Sequence, residues 1–182
     1  MMRYYSELGQ DRVVDNFLNG KTDGYFVDIG AADPIDRNNS YFFEKEKNWR
    51  GLAVELESHY TKSWIDNRPN SIYIIADAIT LDYQKILDDN NAPKIIDFLS
   101  LDLEPPAITF EAAKLILNTD YKFRMIVFEV DNHRTDQDGN KISVTQESRE
   151  FFRSRGYTLL NEIFTCRGGY HIDDIWVNND HN

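Results

Sequence analysis

Apolar and polar positions along this chain switch repeatedly between compact runs and helical spacing. Five apolar runs, at 24–29, 51–55, 71–76, 95–101 and 124–130, read as buried strands, each short and bounded by turn residues. Between and around them the spacing predicts helices over 6–19, 41–47, 58–67, 82–89, 110–118 and 145–155. Leu8, Val13, Val14, Phe17 and Leu18 form the apolar face of the first, and Asn19-Gly20 stops it. Phe110, Ala113 and Leu117 do the same for the fifth, and Gly156 caps the last. The polar stretch 135–141, with Asp138-Gly139, reads as a loop. Two closing runs, 157–164 and 170–177, are separated by Arg167-Gly168-Gly169, which leaves no room for a helix and predicts an antiparallel hairpin.

Alternating strands and helices of this kind predict a doubly wound, Rossmann-like α/β fold. Its sheet has seven strands, mostly parallel, with the antiparallel hairpin at the C-terminus and helices on both faces. No repeat, low-complexity tract or linker interrupts residues 1–182, so one domain is expected. In such sheets ligands bind beyond the carboxyl ends of the strands. The chain places a carboxylate at each of those ends: Asp28, Glu55, Asp77, Asp102 and Asp131.

The first two strand ends carry the clearest chemistry. Tyr25-Phe26-Val27 runs into Asp28-Ile29-Gly30-Ala31-Ala32-Asp33-Pro34, and Gly51-Leu52-Ala53-Val54 runs into Glu55. Small residues let a ligand approach the backbone, and a carboxylate accepts two hydroxyls of a ribose, so the pair describes a cradle for a nucleoside cofactor. Strands also end in Asp or Gly because turns need them. The repetition of the pattern favours the cofactor reading.

Charge narrows the partners. Thirty-one acidic against 20 basic side chains give a net charge of -11, which repels nucleic-acid backbones and anionic lipid. The single cysteine, Cys166, cannot form an internal disulfide, and no Cys/His spacing suggests zinc. With no signal-like N-terminus and no run of membrane-spanning length, a cytoplasmic location is expected, with oligomeric state open.

Five stretches resemble the FkbM family of class I methyltransferases that use S-adenosylmethionine. They are Tyr5-Ser6-Glu7-Leu8-Gly9-Gln10-Asp11, Phe26 to Asp33, Asn39-Ser40-Tyr41-Phe42-Phe43-Glu44-Lys45, Trp49 to Glu55, and Phe98 to Glu104. The resemblance implies that Asp28, Gly30 and Ala31 line the methionine and ribose end of that cofactor. Glu55 would hold the ribose hydroxyls, Asp77 and Ala78 the adenine edge, with Gln10 and Asn39 near the amino-acid end. Asp102 belongs to the same rim. Two departures stand out: Pro105-Pro106 follows Asp102-Leu103-Glu104 where the family commonly has glycine, and Asp33-Pro34 replaces Asp-Gly. The prolines fix φ and remove donors, so that loop must take its own path.

Methyl transfer needs alignment of donor and acceptor, and a hydroxyl acceptor also needs a base. Asp102, Glu129 and His133 are the catalytic candidates, with Glu104 and Asp131 nearby. Glu129 lies in an apolar strand that should raise its pKa, unless Arg124 or Arg134 pairs with it. His133 is either a base or a solvated loop side chain. Asp102 with Asp131-Asn132 also resembles the Mg2+ site of catechol-type O-methyltransferases, although the FkbM resemblance calls for no metal and Asp-Asn is ordinary turn chemistry. The tryptophans and the charged stretch 44–47 read as packing and as a solvated helix face.

The leading expectation is a methyltransferase acting on oxygen of a small molecule or saccharide. A nicotinamide-dependent oxidoreductase is the alternative enzyme, since an acidic residue after the second strand also suits its ribose, but GxGxxG is missing. A methyltransferase-like binding module without activity is the third reading.

Overall fold

The computed structural model describes residues 3–135, 137–139, 142–165 and 168–180. Cys166, Arg167 of the expected hairpin turn, and positions 136, 140 and 141 of the expected loop lie outside the described residues. The elements run α1 (Gln10–Phe17), β1 (Tyr25–Ile29), α2 (Tyr41–Lys47), β2 (Arg50–Glu55), α3 (Thr61–Asn67), β3 (Ser71–Ile75), α4 (Tyr83–Asp89) and β4 (Ile95–Leu101). Then follow α5 (Pro106–Ile116), β5 (Lys122–Glu129), α6 (Thr145–Ser154), β6 (Tyr157–Phe164) and β7 (His171–Asn178). Single 3₁₀ turns, Ser58–Tyr60 and Ala78–Thr80, precede α3 and α4.

Seven strands make one sheet in the order β3-β2-β1-β4-β5-β7-β6. β1 to β5 pair in parallel, while β7 lies antiparallel between β5 and β6. The hairpin therefore inserts its second strand into the sheet and leaves β6 at the edge. Strand order reverses between β1 and β4, which puts the crevice at their carboxyl ends.

Alternate residues of the strands feed two cores. Val27, Ile29, Leu99 and Leu101 face Leu87, Ala112, Ile116 and Phe152, from α4, α5 and α6. Phe26 and Phe98 face Val14, Phe42 and Phe43, from α1 and α2, while Trp64 of α3 packs beside them on Ala53. Each fully buried side chain of this size contributes about 1.5–3 kcal/mol. No described helix is long and apolar enough to cross a membrane.

Three expectations need correction. The first helix starts at Gln10 instead of residue 6. Asp11 accepts from the Tyr5 N–H, the Ser6 N–H and the Ser6 hydroxyl, folding 5–9 into a loop, and Gly9 enters α1 in a left-handed conformation. The fifth helix starts at Pro106, four residues early, because proline at the first helical position has the right φ and no N–H to satisfy. Stretch 44–47 is half buried: Glu44 binds Arg68 at 2.7 Å and Lys47 reaches Asp15 at 3.1 Å.

Candidate functional site

The site begins where β1 ends. After Ile29 the chain turns through Gly30 at φ +83°, and a Cβ there would stand 1.8 Å from the carbonyl oxygen of Asp102. Only glycine lets the β1 and β4 ends approach so closely. The N–H groups of Gly30 and Ala31 both donate to the Val54 carbonyl, at 2.9 and 3.1 Å, which lays the turn against β2. Asp33 Oδ1 then accepts from Ile35 and Asp36 N–H, both at 2.8 Å, closing the next turn. Asn38 finishes the loop. Its Oδ1 accepts from the Ser40 and Tyr41 N–H groups at the start of α2, and its amide donates to the Ala31 carbonyl at 2.9 Å.

Two cavities open along this rim. The larger, about 190 Å³, is lined by Asp28, Gly30, Ala31, Asn39, Ser100 and Asp102, with Glu7, Asp33, Asp36 and Arg37 at its mouth among others. The smaller, about 70 Å³, is lined by Glu55, Leu56, Asp77, Ala78, Leu103 and Ile108 among others. Eight of the nine residues expected around a cofactor thus line one cavity or the other. Gln10 does not. Its amide donates to Asp173 Oδ2 at 2.8 Å and its oxygen accepts from the Leu8 N–H at 2.9 Å.

Glu55 lies at the end of β2 with both carboxylate oxygens anchored: Oε2 accepts from Ala32 N–H and Oε1 from Glu57 N–H, each at 2.8 Å. A carboxylate offers roughly four acceptor positions, so two remain for a ligand. Asp77 is exposed and caps the following 3₁₀ turn through the Ile79 N–H at 3.2 Å. Asn39 donates to Ser100 Oγ at 3.1 Å. Asp28 is buried, and Ser40 Oγ donates to it at 2.7 Å. Burial raises the Asp28 pKa, against the Ser40 hydrogen bond and the charge of Arg68.

Beyond the larger cavity the tips of β4, β5 and β7 bring carboxyl groups together. Asp102 and Glu129 are neighbours there, and Glu129 Oε2 is buried with no hydrogen-bond partner among the described residues. Both are raised: Glu129 to about 11, first by burial and then by the Asp102 charge, and Asp102 by its enclosure among these groups although its side chain is open to the cavity. Glu129 therefore stays protonated through neutral pH. Asp173, buried beside them on β7, is raised to about 7, first by burial and then by the Asp102 charge, with Gln10 opposing. Among the described residues neither arginine considered for Glu129 is seen in an ion pair with it, although the charges of Arg134 and Glu129 act on each other. Arg124 sits 3.2 Å from Asp97, and Arg134 binds Asp131 and Glu104.

His133 projects from the loop after β5, half exposed, with Nδ1 2.6 Å from Asp131 Oδ1 and its ring 4.9 Å from that of Tyr170. Both Asp131 oxygens are thereby taken by His133 and Arg134. Among the described residues, Glu162, His171 and Asp174 form a group of three side chains close enough to share a cation. Arg149 occupies it, with Nε and Nη2 each 2.7 Å from Asp174 and Nη2 also bound to Glu162.

Sequence reasoning missed the residues that hold the loop from below. Trp64 donates to the Ala32 carbonyl at 2.9 Å, and the buried Arg68 reaches Glu44, Pro34, Asn38 and Ser40. It also missed Asp173, although two adjacent acids in the apolar run Ile172-Asp173-Asp174-Ile175-Trp176 were a readable signal.

No protein-family model matches the sequence, and no curated protein matches it either. Solved structures do. M. capricolum TrmK in complex with S-adenosylhomocysteine is similar over 98% of this chain and 70% of its own, at 13% identity and a TM-score of 0.61. The Burkholderia thailandensis 1,6-didemethyltoxoflavin-N1-methyltransferase, with its acceptor and S-adenosylhomocysteine bound, matches 93% of this chain and 76% of its own, at 12% identity and 0.56. A Pyrococcus horikoshii protein described as a putative RNA methyltransferase, PH1948, matches 97% and 86%, at 12% identity and 0.57. Strand order, crevice and these likenesses agree: the fold is that of the class I methyltransferases.

Proposed function

We propose that this chain is an S-adenosylmethionine-dependent methyltransferase of FkbM type, acting on an oxygen of a small molecule or saccharide in the cytoplasm. The observation that carries the cofactor is Glu55, whose anchored carboxylate keeps two acceptor positions at the inner end of the smaller cavity. A ribose diol fits that donor-free surface, and charge-assisted bonds to it are the stronger kind. Leu56, Ala78, Leu103 and Ile108 give the smaller cavity the apolar walls a purine needs, with the Asp77 carboxylate at its rim. Asp28, Gly30, Ala31 and Asn39 would hold the methionine end in the larger cavity, where acidic lining suits a cationic sulfonium. When bound, this cofactor supplies an electrophilic methyl group.

The chain's own residues prepare the acceptor. Asp102 lines the larger cavity and is exposed there, and Glu129 beside it holds a proton. Asp102 is thus the base for an acceptor hydroxyl, with Glu129 behind it. His133, oriented through Nδ1 by Asp131, lies outside the lining of both cavities and would serve only an acceptor that reaches beyond them. RNA suits this rim poorly, because its phosphates would meet Glu7, Asp33, Asp36 and Glu104. Thermal shift and calorimetry test the reading. S-adenosylhomocysteine should raise the melting temperature while NAD is silent; stabilisation by NAD alone would reverse it, and a response to neither would leave a binding module.

A further inference from the structure

We infer that Arg68 is a positioning residue of this site: from beneath the cleft it holds Ser40 and the 34–38 turn against Asp28 and Ala31. The inference deepens the cofactor reading and rests on it for the ligand alone. Arg68 follows α3 directly, and its side chain has no exposure at all. Four of the five N–H donors of its guanidinium are used. Nε donates to Glu44 Oε2 at 2.7 Å, Nη1 to the Pro34 carbonyl at 3.0 Å and to Asn38 Oδ1 at 3.1 Å, and Nη2 to Ser40 Oγ at 2.9 Å. Its carbon lies 4.4 Å from the Trp64 ring centre.

These contacts lead to the cavity by two routes. Ser40 has one proton and two acceptors in reach, Asp28 Oδ2 at 2.7 Å and Asn38 Oδ1 at 2.9 Å. Asn38 Oδ1 already accepts from Arg68, which also donates to the Ser40 oxygen, so the nearer carboxylate is the favoured recipient. Asn38, also held by Arg68, fixes Ala31 through its amide. The groups facing Asp28 come from three directions. Ser40 and Arg68 lie on the α2 and α3 side, Ser100 donates from β4, and the Asp102 charge at the β4 end opposes. Glu44 stands behind Arg68 and neutralises it without touching Asp28. Arg68 is therefore the cation that favours an ionised Asp28. Lysine cannot replace it, since one ammonium cannot reach Glu44, Pro34, Asn38 and Ser40 from one plane.

The test uses the full chain without ligand and then with S-adenosylhomocysteine. Carbon-13 NMR of the side-chain carboxyl follows Asp28 ionisation against pH in wild type, in Arg68→Met paired with Glu44→Gln, and in Ser40→Ala. The double substitution avoids stranding a buried carboxylate, and Ser40→Ala keeps the test open if the double variant fails to fold. The expected result is an Asp28 midpoint raised by about one unit or more in the double variant and by less in Ser40→Ala. Measured below the wild-type midpoint, S-adenosylhomocysteine affinity should fall about tenfold for each unit gained. Folded variants with an unmoved midpoint would overturn the inference. If wild type fails to bind S-adenosylhomocysteine, the cofactor reading falls, and the midpoints still decide whether Arg68 governs Asp28.

Discussion

Glu55 Oε2 accepts the Ala32 N–H at 2.8 Å, so the carboxylate at the end of β2 is fixed by the turn that follows β1. The two strand ends form one device, and the acid is aimed before any ligand arrives. Removing it has two effects that can be measured apart. Glu55→Ala should weaken S-adenosylhomocysteine by about 1–3 kcal/mol through loss of the diol contact. It should also lower the melting temperature, since Ala32 and Glu57 lose their acceptor. Glu55→Gln keeps an acceptor oxygen and should lose less of both. Calorimetry showing wild-type affinity in a folded Glu55→Ala protein would remove Glu55 from the ribose.

Gly30 makes a different prediction, about folding alone. A methyl group there meets the Asp102 carbonyl in a left-handed backbone, so neither conformation nor space accommodates it. Gly30→Ala should cost about 2–4 kcal/mol, from the conformational penalty and overpacking together. Urea denaturation reads it directly. A variant as stable as wild type would show that β1 and β4 do not approach as described.

The β1 and β2 ends are legible in the chain because the signal is local: an apolar run, then an acid, then small residues. The floor of the site is not. Arg68 gains its meaning from Glu44 and Ser40, 24 and 28 residues away, and nothing around Asn67-Arg68-Pro69 marks it for burial. Gln10 meets Asp173 across 163 residues, a contact that exists only once β7 slots beside β5. Helix starts fail for a nearer reason. Apolar spacing continues through Leu8, yet Asp11 captures the backbone ahead of it and Gly9 breaks the helical path. Pro105-Pro106 reads as a barrier and acts as a helix start, because the N–H at the first helical position has no intrahelical partner to lose.

Magnesium should find little purchase at the tips of β4 and β5. Its ligands there would include Asp131, and that carboxylate already has His133 on one oxygen and Arg134 on the other. A divalent ion would have to displace a guanidinium and shed waters it holds tightly. Titrating Mg2+ into the protein should release no heat, and EDTA should leave S-adenosylhomocysteine affinity unchanged. Saturable heat that disappears in Asp102→Asn would establish a metal site instead.

The acidic cluster also imposes a direction on stability against pH. Asp173 titrates near 7 in the folded chain, well above the ordinary aspartate value of about 3.9, so between those limits the folded state holds a proton that the unfolded chain has lost. Where the folded state binds more protons, stability falls as pH rises. The loss should therefore build from about pH 4 to 7 and then level for this group, with Glu129 prolonging the decline at higher pH. Asp174 is pushed up by burial but pulled down further by His171 and Arg149, so its contribution is lost only in more acid solution. Asp173→Asn keeps the shape and still accepts the Gln10 amide, while removing the titration. The difference in unfolding free energy between Asp173→Asn and wild type should move in favour of the variant from pH 5 to pH 8. Urea midpoints at four pH values decide it. A difference independent of pH would mean that Asp173 is charged in the folded protein throughout, and the picture of a protonated cluster behind Asp102 would have to be abandoned.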